Sequence, residues 1–560
     1  TTQMLEILTR ITRGQGRLED IDTIRQLGET LTEASLCGLG QACPKPALST
    51  LKYFLKEYED HIKEHRCAGA VCDSMVISAC QHACPAGIDV PNYVAAIADG
   101  EYEKSVDIIR ERNPFPAVCG RICIHPCEYK CRRGELDQPV AIRALKRVAS
   151  DWYFENIGPQ RDPFPITREE KIAVVGAGPA GLTCAYFLAK MGYQTTVFEA
   201  QPVAGGMLGI AVPEFRLPRQ VIEEEIQYIQ NCGVDIRYNS PIDAKHTFND
   251  LIGEGYSAVF IAAGAQASKH IGIPGEDENL EGIYYGLDFL SKVRMGQDVP
   301  LSGKTVVIGG GNVAVDVART ALRSGAHDVQ IFCLEPRDEM PAWEKDVEEA
   351  IDEGIIINPE ASPSNITQKD GRVTGIEFTH CVCVFDDEGC FNPTCDLEDT
   401  RLVEADNILI SIGQAADMSF LSADSQLERE LWGALVVDTN TLATNVPGVF
   451  AGGDFTTGPT FVIRAIASGR RAAIAINKYL SGDDSPVYIP DEKSARHTAT
   501  KLALEEETTE DQPRIEVEFE DARERVSDFR EVEKGFTEQE ACREATRCLR
   551  CDLEKEENGI

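Results

Sequence analysis

No apolar run in this sequence approaches the roughly 18 residues that a membrane span requires. No secretory leader opens it either. Positive charge is scarce: 55 Lys and Arg stand against 92 Asp and Glu, a net charge of −37. That balance argues against nucleic acid and anionic membrane surfaces as partners, and for solubility or basic partners. The expectation is a cytoplasmic protein with no membrane insertion and no nucleic-acid partner. Much of the acidic excess lies beyond Asp491, where it reads as a solvated segment. With 560 residues, 43% of them apolar, the chain is long enough for several packed domains.

Cysteine, by contrast, is abundant. Of twenty, ten fall between Cys37 and Cys131 and three between Cys542 and Cys551. A disulfide-stapled secreted protein is short and carries a signal peptide. A long chain without one, with tight Cys-x2–3-Cys spacings, reads as metal-binding in a reducing compartment.

The clearest local pattern is Lys171 to Ala200. A short apolar strand (Ile172 to Val175) runs into Gly176, Gly178 and Gly181, with Pro179 and Ala180 between them. A helical pattern follows, then a second strand (Thr195 to Phe198) ending in Glu199 and Ala200. Gly176 permits the tight turn, Gly178 admits a pyrophosphate close to the backbone, and Gly181 lets helix and strand pack closely. The helix N-terminus faces the phosphates, and Glu199 is placed to accept from a ribose hydroxyl. A second such turn occupies residues 304–342, with Gly309, Gly311 and Ala314 at the small positions and Asn312 and Val313 between them. Two such turns on one chain predict two dinucleotide sites. Strand-like Tyr256 to Gly264 and Asp406 to Asp417 also end at small residues.

Residues 80–131 carry the densest cysteine spacing: Cys80-x3-Cys84, then Cys119, Cys123, Cys127 and Cys131. Thiolates so spaced suit iron–sulfur clusters. Six are too few for two all-cysteine cubanes, which need eight; Cys548-x2-Cys551 offers the missing pair from the far end of the chain. His61, Cys67 and Cys72, with His65 between them and Cys43 upstream, have ligand types and spacing suited to zinc; the alternative is thiols on a linker. His380, Cys381, Cys383, Cys390 and Cys395 lie in an alternating stretch that reads as a β-hairpin with structural cysteines.

Two resemblances sharpen this picture. Residues 1–65 read as helices with apolar stripes (Met4, Leu5, Ile7, Leu8 and Ile11; Ile21, Ile24, Leu27 and Leu31). With SLCGLGQACPKPALSTLKYFLKEYEDHI, they resemble the C-terminal helical domain of the NADH-binding flavin subunit of complex I and of soluble hydrogenases. In that family the Cys37 position is the fourth ligand of a [4Fe–4S] cluster whose other ligands lie upstream. Cys37 is therefore expected to ligate only if such cysteines accompany it; otherwise the helices serve as a docking module.

Residues 78–480 resemble the small subunit of glutamate synthase and the large subunit of NADH-dependent ferredoxin:NADP oxidoreductase. The match is carried by the Cys-x3-Cys-Pro element, by NPFPAVCGRICIHPCEYKCRRG, by QPVAGGMLGIAVPEFRLP and by GVFAGGDFTTGPTFVIRAIASGRRAAIAI. In that family an EEA-x2-EA-x-RCL-x-C segment precedes the first cysteines; here its counterpart, FTEQEACREATRCLRC, stands at the C-terminus. The resemblance implies one cluster on Cys80, Cys131, Cys548 and Cys551. It implies a second on Cys84, Cys123, Cys127 and one more group, a Gln or Glu on a following helix. The matching place falls near Lys146, which cannot ligate as an ammonium, so Cys119 is taken as the substitute.

The resemblance makes the first glycine turn an FAD site and the second a nicotinamide site. For FAD it adds Gly205, Gly206, Met207, Arg216, Gly264, Gly453, Asp454 and Thr460. NADP-using relatives place two arginines just past the second strand of the nicotinamide unit. Here those places hold Leu334 and Glu335, so NAD(H) is expected over NADP(H), with Arg337 left as a partial phosphate contact.

The expected fold is α/β. It comprises two Rossmann-like dinucleotide-binding domains of a two-dinucleotide flavoprotein, preceded by an all-α iron–sulfur domain and an N-terminal helical module. The boundaries are 1–66 (helical module), 67–165 (iron–sulfur), 166–300 and 406–482 (FAD), 301–405 (NAD(P)), 483–535 (acidic linker) and 536–560 (returning segment).

The expected function is an electron-transfer subunit moving electrons between NAD(P)H, FAD and two [4Fe–4S] clusters. Its setting would be a multi-subunit, electron-bifurcating oxidoreductase linked to ferredoxin, hydrogenase or formate dehydrogenase. The cofactor carries the chemistry, so no catalytic side chain is named. The alternative is an ordinary glutamate synthase small subunit. A docking scaffold with a vestigial flavin site is disfavoured by the intact glycines of both turns.

Overall fold

The computed structural model describes residues 2–13, 15–63, 67, 72, 78–276, 280–386, 388–421, 425–430, 433–482 and 512–553. Five helices open the chain: Thr2–Thr12, Leu18–Ala34, Gly38–Ala42, Lys45–Tyr53 and Leu55–Lys63. Met4, Ile7 and Ile11 recur at helical spacing and close on Ile21, Ile24, Leu51 and Ile62. Leu5, expected on the same stripe, lies off that face and is 65% exposed.

A second helical group holds the cysteines: Ala79–Ala83, Val90–Ala98, Tyr102–Arg110, Pro116–Ile122, Pro126–Tyr129 and Ile142–Asn156. The helix Glu538–Ala545, near the other end of the chain, packs on Val90–Ala98 and Ile142–Asn156. Its start is fixed by a reciprocal cap between Thr537 and Glu540. The side chains of this group share one apolar core with the first sheet: Val94, Ile142 and Ala541 belong to the same buried cluster as Ile172, Leu182 and Phe260.

Fifteen strands are described: β1 (Lys171–Val175), β2 (Gln194–Phe198), β3 (Asp235–Arg237), β4 (Tyr256–Ile261), β5 (Ala267–Ser268), β6 (Ile283–Tyr285), β7 (Lys304–Ile308), β8 (Asp328–Phe332), β9 (Ile356–Asn358), β10 (Ala361–Lys369), β11 (Arg372–Phe385), β12 (Phe391–Glu404), β13 (Asn407–Ile410), β14 (Gln414–Ala415) and β15 (Val449–Ala451). The first sheet is parallel, in the order β15-β4-β1-β2-β3. The second is parallel, in the order β6-β13-β7-β8-β9. Both are buried on both faces and read as short apolar runs, as parallel sheets covered by helices do. Antiparallel β5 and β14 join the two units. The three-stranded antiparallel sheet β10-β11-β12 carries the cysteine-bearing hairpin and places Cys381 opposite Cys395.

Of the segment read as an acidic linker, residues 483–511 lie outside the described residues. Residues 512–535 form a strap with buried anchors. Val532 N–H donates to the Phe215 carbonyl (3.0 Å). Glu531 and Glu533 meet Arg121 (2.8 Å) and Arg143 (2.6 Å). Arg525 donates to Glu353 (2.8 Å). Glu531 and Glu533 are thus paired with buried arginines, which aperiodic sequence does not reveal.

Glu353 also binds Arg319 (2.6 Å) and Arg323 (2.7 Å), and its side chain is fully buried. Burial opposes its ionisation, but the hydrogen bonds from Arg323 and Arg319 win and hold the carboxyl at about 2. Its stabilising share is therefore fully present above the ordinary carboxylate range and is lost as pH falls through about 2. Glu353→Ala leaves three arginines without this partner and is expected to cost about 3–5 kcal/mol. Denaturant unfolding at neutral pH measures it, and a loss under 1 kcal/mol contradicts the assignment.

Candidate functional site

A cavity of about 1120 Å³ lies where the C-terminal ends of the two parallel sheets face each other. Such a crevice is where open α/β sheets take their ligands. From the first unit it is lined by Gly176, Gly178, Pro179, Ala180, Glu199, Gly206, Met207, Arg216 and Gly264, and from the closing segment by Gly453, Asp454 and Thr460. The second unit contributes Gly309, Gly311, Asn312, Val313 and Glu335. Gly181, Ala200, Gly205 and Arg337 are not part of the wall.

Two glycines are dictated by backbone geometry. Gly176 has φ +98°, and a Cβ there would stand 2.5 Å from the Ala262 carbonyl oxygen. Gly309 has φ +135° and would meet the Ser411 carbonyl in the same way. Each turn thus closes against the end of a neighbouring strand, which leaves its N–H groups and helix N-terminus facing the cavity.

Glu199 is buried and accepts from the N–H groups of Ala177 (2.7 Å) and Gln201 (2.8 Å). Burial raises its pKa against those two bonds. Asp454 accepts from the backbone N–H (3.0 Å) and hydroxyl (2.7 Å) of Thr460, and burial raises its pKa too. Both carboxylates are held rigidly at the wall, with lone pairs left for a ribose or ribityl hydroxyl.

Arg216, expected at the flavin, lines the cavity. Its guanidinium is taken by Asp316 (2.8 Å) and Asp346 (3.1 Å), on the far unit. Asn312, on the second turn, donates to the same Asp346. Arg216 thereby fastens the two units together at the cavity wall. Arg337 is engaged by Glu344 (2.6 Å) on the surface.

Sequence reasoning missed part of the wall. Ile122 and Ile124, which flank Cys123, line the cavity, so the cysteine-bearing helices reach it directly. Trp343 and Phe461 also line it. Trp343 packs against Tyr129 (5.8 Å) and Phe461 (6.4 Å), and His125 stacks on Tyr129 (5.9 Å). These aromatics bridge the cysteine helices, the nicotinamide unit and the closing helix Val462–Ser481. Phe391 and Pro393 of the hairpin close another side. None of these contacts follows a periodic pattern.

Cys80, Cys131, Cys548 and Cys551 gather around a cavity of about 20 Å³ together with Arg132 and Arg133. Burial, and then the neighbouring Cys548, push the Cys80 thiol well up; burial pushes Cys548 up to about 12. Four cysteines gathered at one small cavity with two arginines in its wall fit an iron–sulfur centre. Cys84, Cys119, Cys123 and Cys127 form a second group around buried Lys146. The Cys119 thiol hydrogen-bonds Cys123 and, with Lys146, holds Cys123 below the ordinary thiol range. Burial raises Cys84 and Cys127.

Among the described residues, only His61, Cys67 and Cys72 bring their donor atoms within 4.8 Å of one another, the reach of a single ion. His61 Nδ1 lies 2.7 Å from the Glu57 carbonyl, which orients Nε2 toward Cys72 (3.3 Å). Cys43, expected as a further ligand, does not join them: it caps the short helix Gly38–Ala42 and is exposed. His65 lies outside the described residues. Cys37 is exposed at the start of that same helix.

Three family models match the chain. Residues 170–469 match pyridine nucleotide-disulphide oxidoreductase. Residues 48–157 match dihydropyrimidine dehydrogenase domain II, 4Fe-4S cluster, and residues 1–61 match the NADH-ubiquinone oxidoreductase-F iron-sulfur binding region. The NADP(+)-dependent formate dehydrogenase subunit beta of Moorella thermoacetica is 37% identical, over 98% of this chain and 87% of its own. The NADPH-Fe(3+) oxidoreductase subunit beta of Geobacter sulfurreducens is 34% identical, over 98% and 86%. The glutamate synthase [NADPH] small chain of Escherichia coli is 31% identical over 72% of this chain and 88% of its own. With the glycine turns, their shared cavity and the cysteine helices already described, these matches identify the chain as a member of the pyridine nucleotide-disulphide oxidoreductase family: an NAD(P)H-dependent FAD and iron–sulfur electron-transfer subunit.

Proposed function

We propose that the chain takes electrons from NADH at the Gly309–Glu335 side of the cavity and delivers them through the Gly176–Asp454 side to two [4Fe–4S] centres. One centre is held by Cys84, Cys119, Cys123 and Cys127, the other by Cys80, Cys131, Cys548 and Cys551. FAD, when bound, supplies hydride acceptance and one-electron delivery. The observation that carries this reading is the cavity wall itself: Ile122 and Ile124 belong to it, so the Cys123 group adjoins the flavin side. Glu199 and Asp454 orient hydroxyls, the glycine turns receive phosphates, and Trp343 with Phe461 excludes water between the units.

The iron–sulfur helices, the FAD unit in two segments, the NAD(P) unit and the returning C-terminal segment are the working parts. Partner subunits would carry the terminal reaction, consistent with relatives named as beta subunits of formate dehydrogenase and of an Fe(3+) oxidoreductase. Electron bifurcation and a ferredoxin partner are part of the proposal, as is a zinc ion on His61, Cys67 and Cys72. The N-terminal helices would dock onto other subunits.

Purified anaerobically, the chain is expected to be yellow and to hold about eight iron atoms. Cys548→Ser with Cys551→Ser is expected to lower this to about four; unchanged iron would remove the C-terminal thiols from the ligand set. Glu199→Ala strands the buried N–H groups of Ala177 and Gln201 and is expected to weaken flavin retention by about 1–3 kcal/mol, read from flavin content after gel filtration.

Nucleotide choice turns on Glu335, whose carboxylate repels a 2′-phosphate and accepts from the ribose. NADH is expected to show the higher kcat/KM, and Glu335→Arg is expected to move the NADPH/NADH ratio upward by about tenfold or more. A wild-type preference for NADPH ends this part of the proposal.

A further inference from the structure

Lys146 lies on the helix Ile142–Asn156 and is 4% exposed. Burying an ammonium is costly unless anions face it. Among the described residues, no carboxylate lies within ion-pair distance of it. Its ammonium is 5.9 Å from the Tyr93 ring, its helix packs on the Cys119-bearing helix with Gly120 set against Arg147, and the thiols of Cys119, Cys123, Cys127 and Cys84 are the acidic groups that act on it. The neighbouring cation, Arg143, is different: it is committed to Glu533 (2.6 Å). One positive charge with no carboxylate partner therefore sits beside one thiol quartet, in a low-dielectric interior where its effect is little screened.

We propose that Lys146 is a positioning residue that, through its fixed charge, raises the reduction potential of the cluster on Cys84, Cys119, Cys123 and Cys127. This rests on the reading of those thiols as cluster ligands. The step concerned is the gain of one electron by the cluster from the reduced flavin. It adds one negative charge, and Lys146 forms no bond and gives up no proton. Groups around the first ligands of a metal centre tune it in this way.

The test uses the full chain carrying Lys146→Met, Lys146→Gln or Lys146→Arg, with iron counted and redox titrations followed by electron paramagnetic resonance. Met and Gln differ in polarity but share the loss of charge. Both are expected to keep wild-type iron and to shift the reduction equilibrium of this centre at least tenfold toward the oxidised form, 59 mV for a one-electron couple. The centre shared with the chain's end should not move, and Arg should restore most of the shift. Unshifted potentials in both neutral variants overturn the inference, and so does an Arg variant displaced as far as Met. Iron lost from both neutral variants makes Lys146 a folding group and overturns it as well. A wild-type chain holding only the iron of the Cys80 centre overturns the ligand reading itself, a result separable from the others because it appears before any substitution at Lys146.

Discussion

One buried ion pair fastens the segment that bears Cys548 and Cys551 to the cysteine helices. Glu544 is fully buried, accepts from the N–H groups of Ala141 (2.9 Å) and Ile515 (2.9 Å), and pairs with Arg547 (2.7 Å). Arg547, also buried, goes on to Asp137 (2.9 Å) and the carbonyls of Gln138 and Gln512. Neither charge can be left without its partners in that interior without a large penalty. The segment bearing Cys548 and Cys551 is thereby fixed against the loop that leads from Cys131. Everything read from the first thiol group depends on this closure, because residues about 400 apart in sequence must arrive within contact of each other.

The same logic binds the cysteine helices to the nucleotide cavity. Glu225, on the helix Arg219–Asn231, is wholly buried and accepts from the N–H groups of Ala117 (2.6 Å) and Val118 (3.2 Å). Those are the first free donors of the helix Pro116–Ile122, so an acid of the flavin unit caps a cysteine helix. Burial raises its pKa to about 8, in spite of those bonds. The capped helix ends at Ile122, which lines the large cavity. The cap, the shared apolar core and the aromatic contacts of Trp343 together set the spacing between thiols and flavin side. That spacing is therefore a property of packing rather than of a flexible linker.

Local chemistry was legible in the sequence; long-range pairing was not. The glycine turns could be read because Gly176 and Gly309 answer to constraints within a few residues, namely a positive φ and a neighbouring strand end. Spacing marked the cysteine-rich stretch, while its division into two groups and the displaced pair at 548 and 551 came from resemblance. The hairpin of β11 and β12 was visible in its alternation. The ion pairs of Arg216 could not be read because nothing near it announces Asp316 and Asp346, 100 and 130 residues away. Residues 512–535 were read as an acidic linker, and their anchors stayed hidden for the same reason: Glu531 and Glu533 look like surface acids until Arg121 and Arg143 are seen facing them. Cys43 fitted a ligand spacing, but it stays exposed at the end of the helix Gly38–Ala42 and outside the group of His61, Cys67 and Cys72.

Composition alone suggested that positive charge is scarce, and it is unevenly spent. The first thiol group has Arg132 and Arg133 in its wall, and Arg550 is held beside Cys548 by Asp552 (2.7 Å). The second has Lys146 and, near Cys123, Arg143. Thiolates bound to iron leave a net negative centre, and a low-dielectric interior tolerates it only with cations close by. The acids that neutralise the remaining buried arginines come largely from other segments, Glu531 and Glu533 from the strap and Glu353 from the nicotinamide unit. Much of the net charge of −37 can then be left on exposed surface while the interior stays balanced around the thiols. An acidic chain and cation-lined thiol sites are two consequences of one electrostatic requirement.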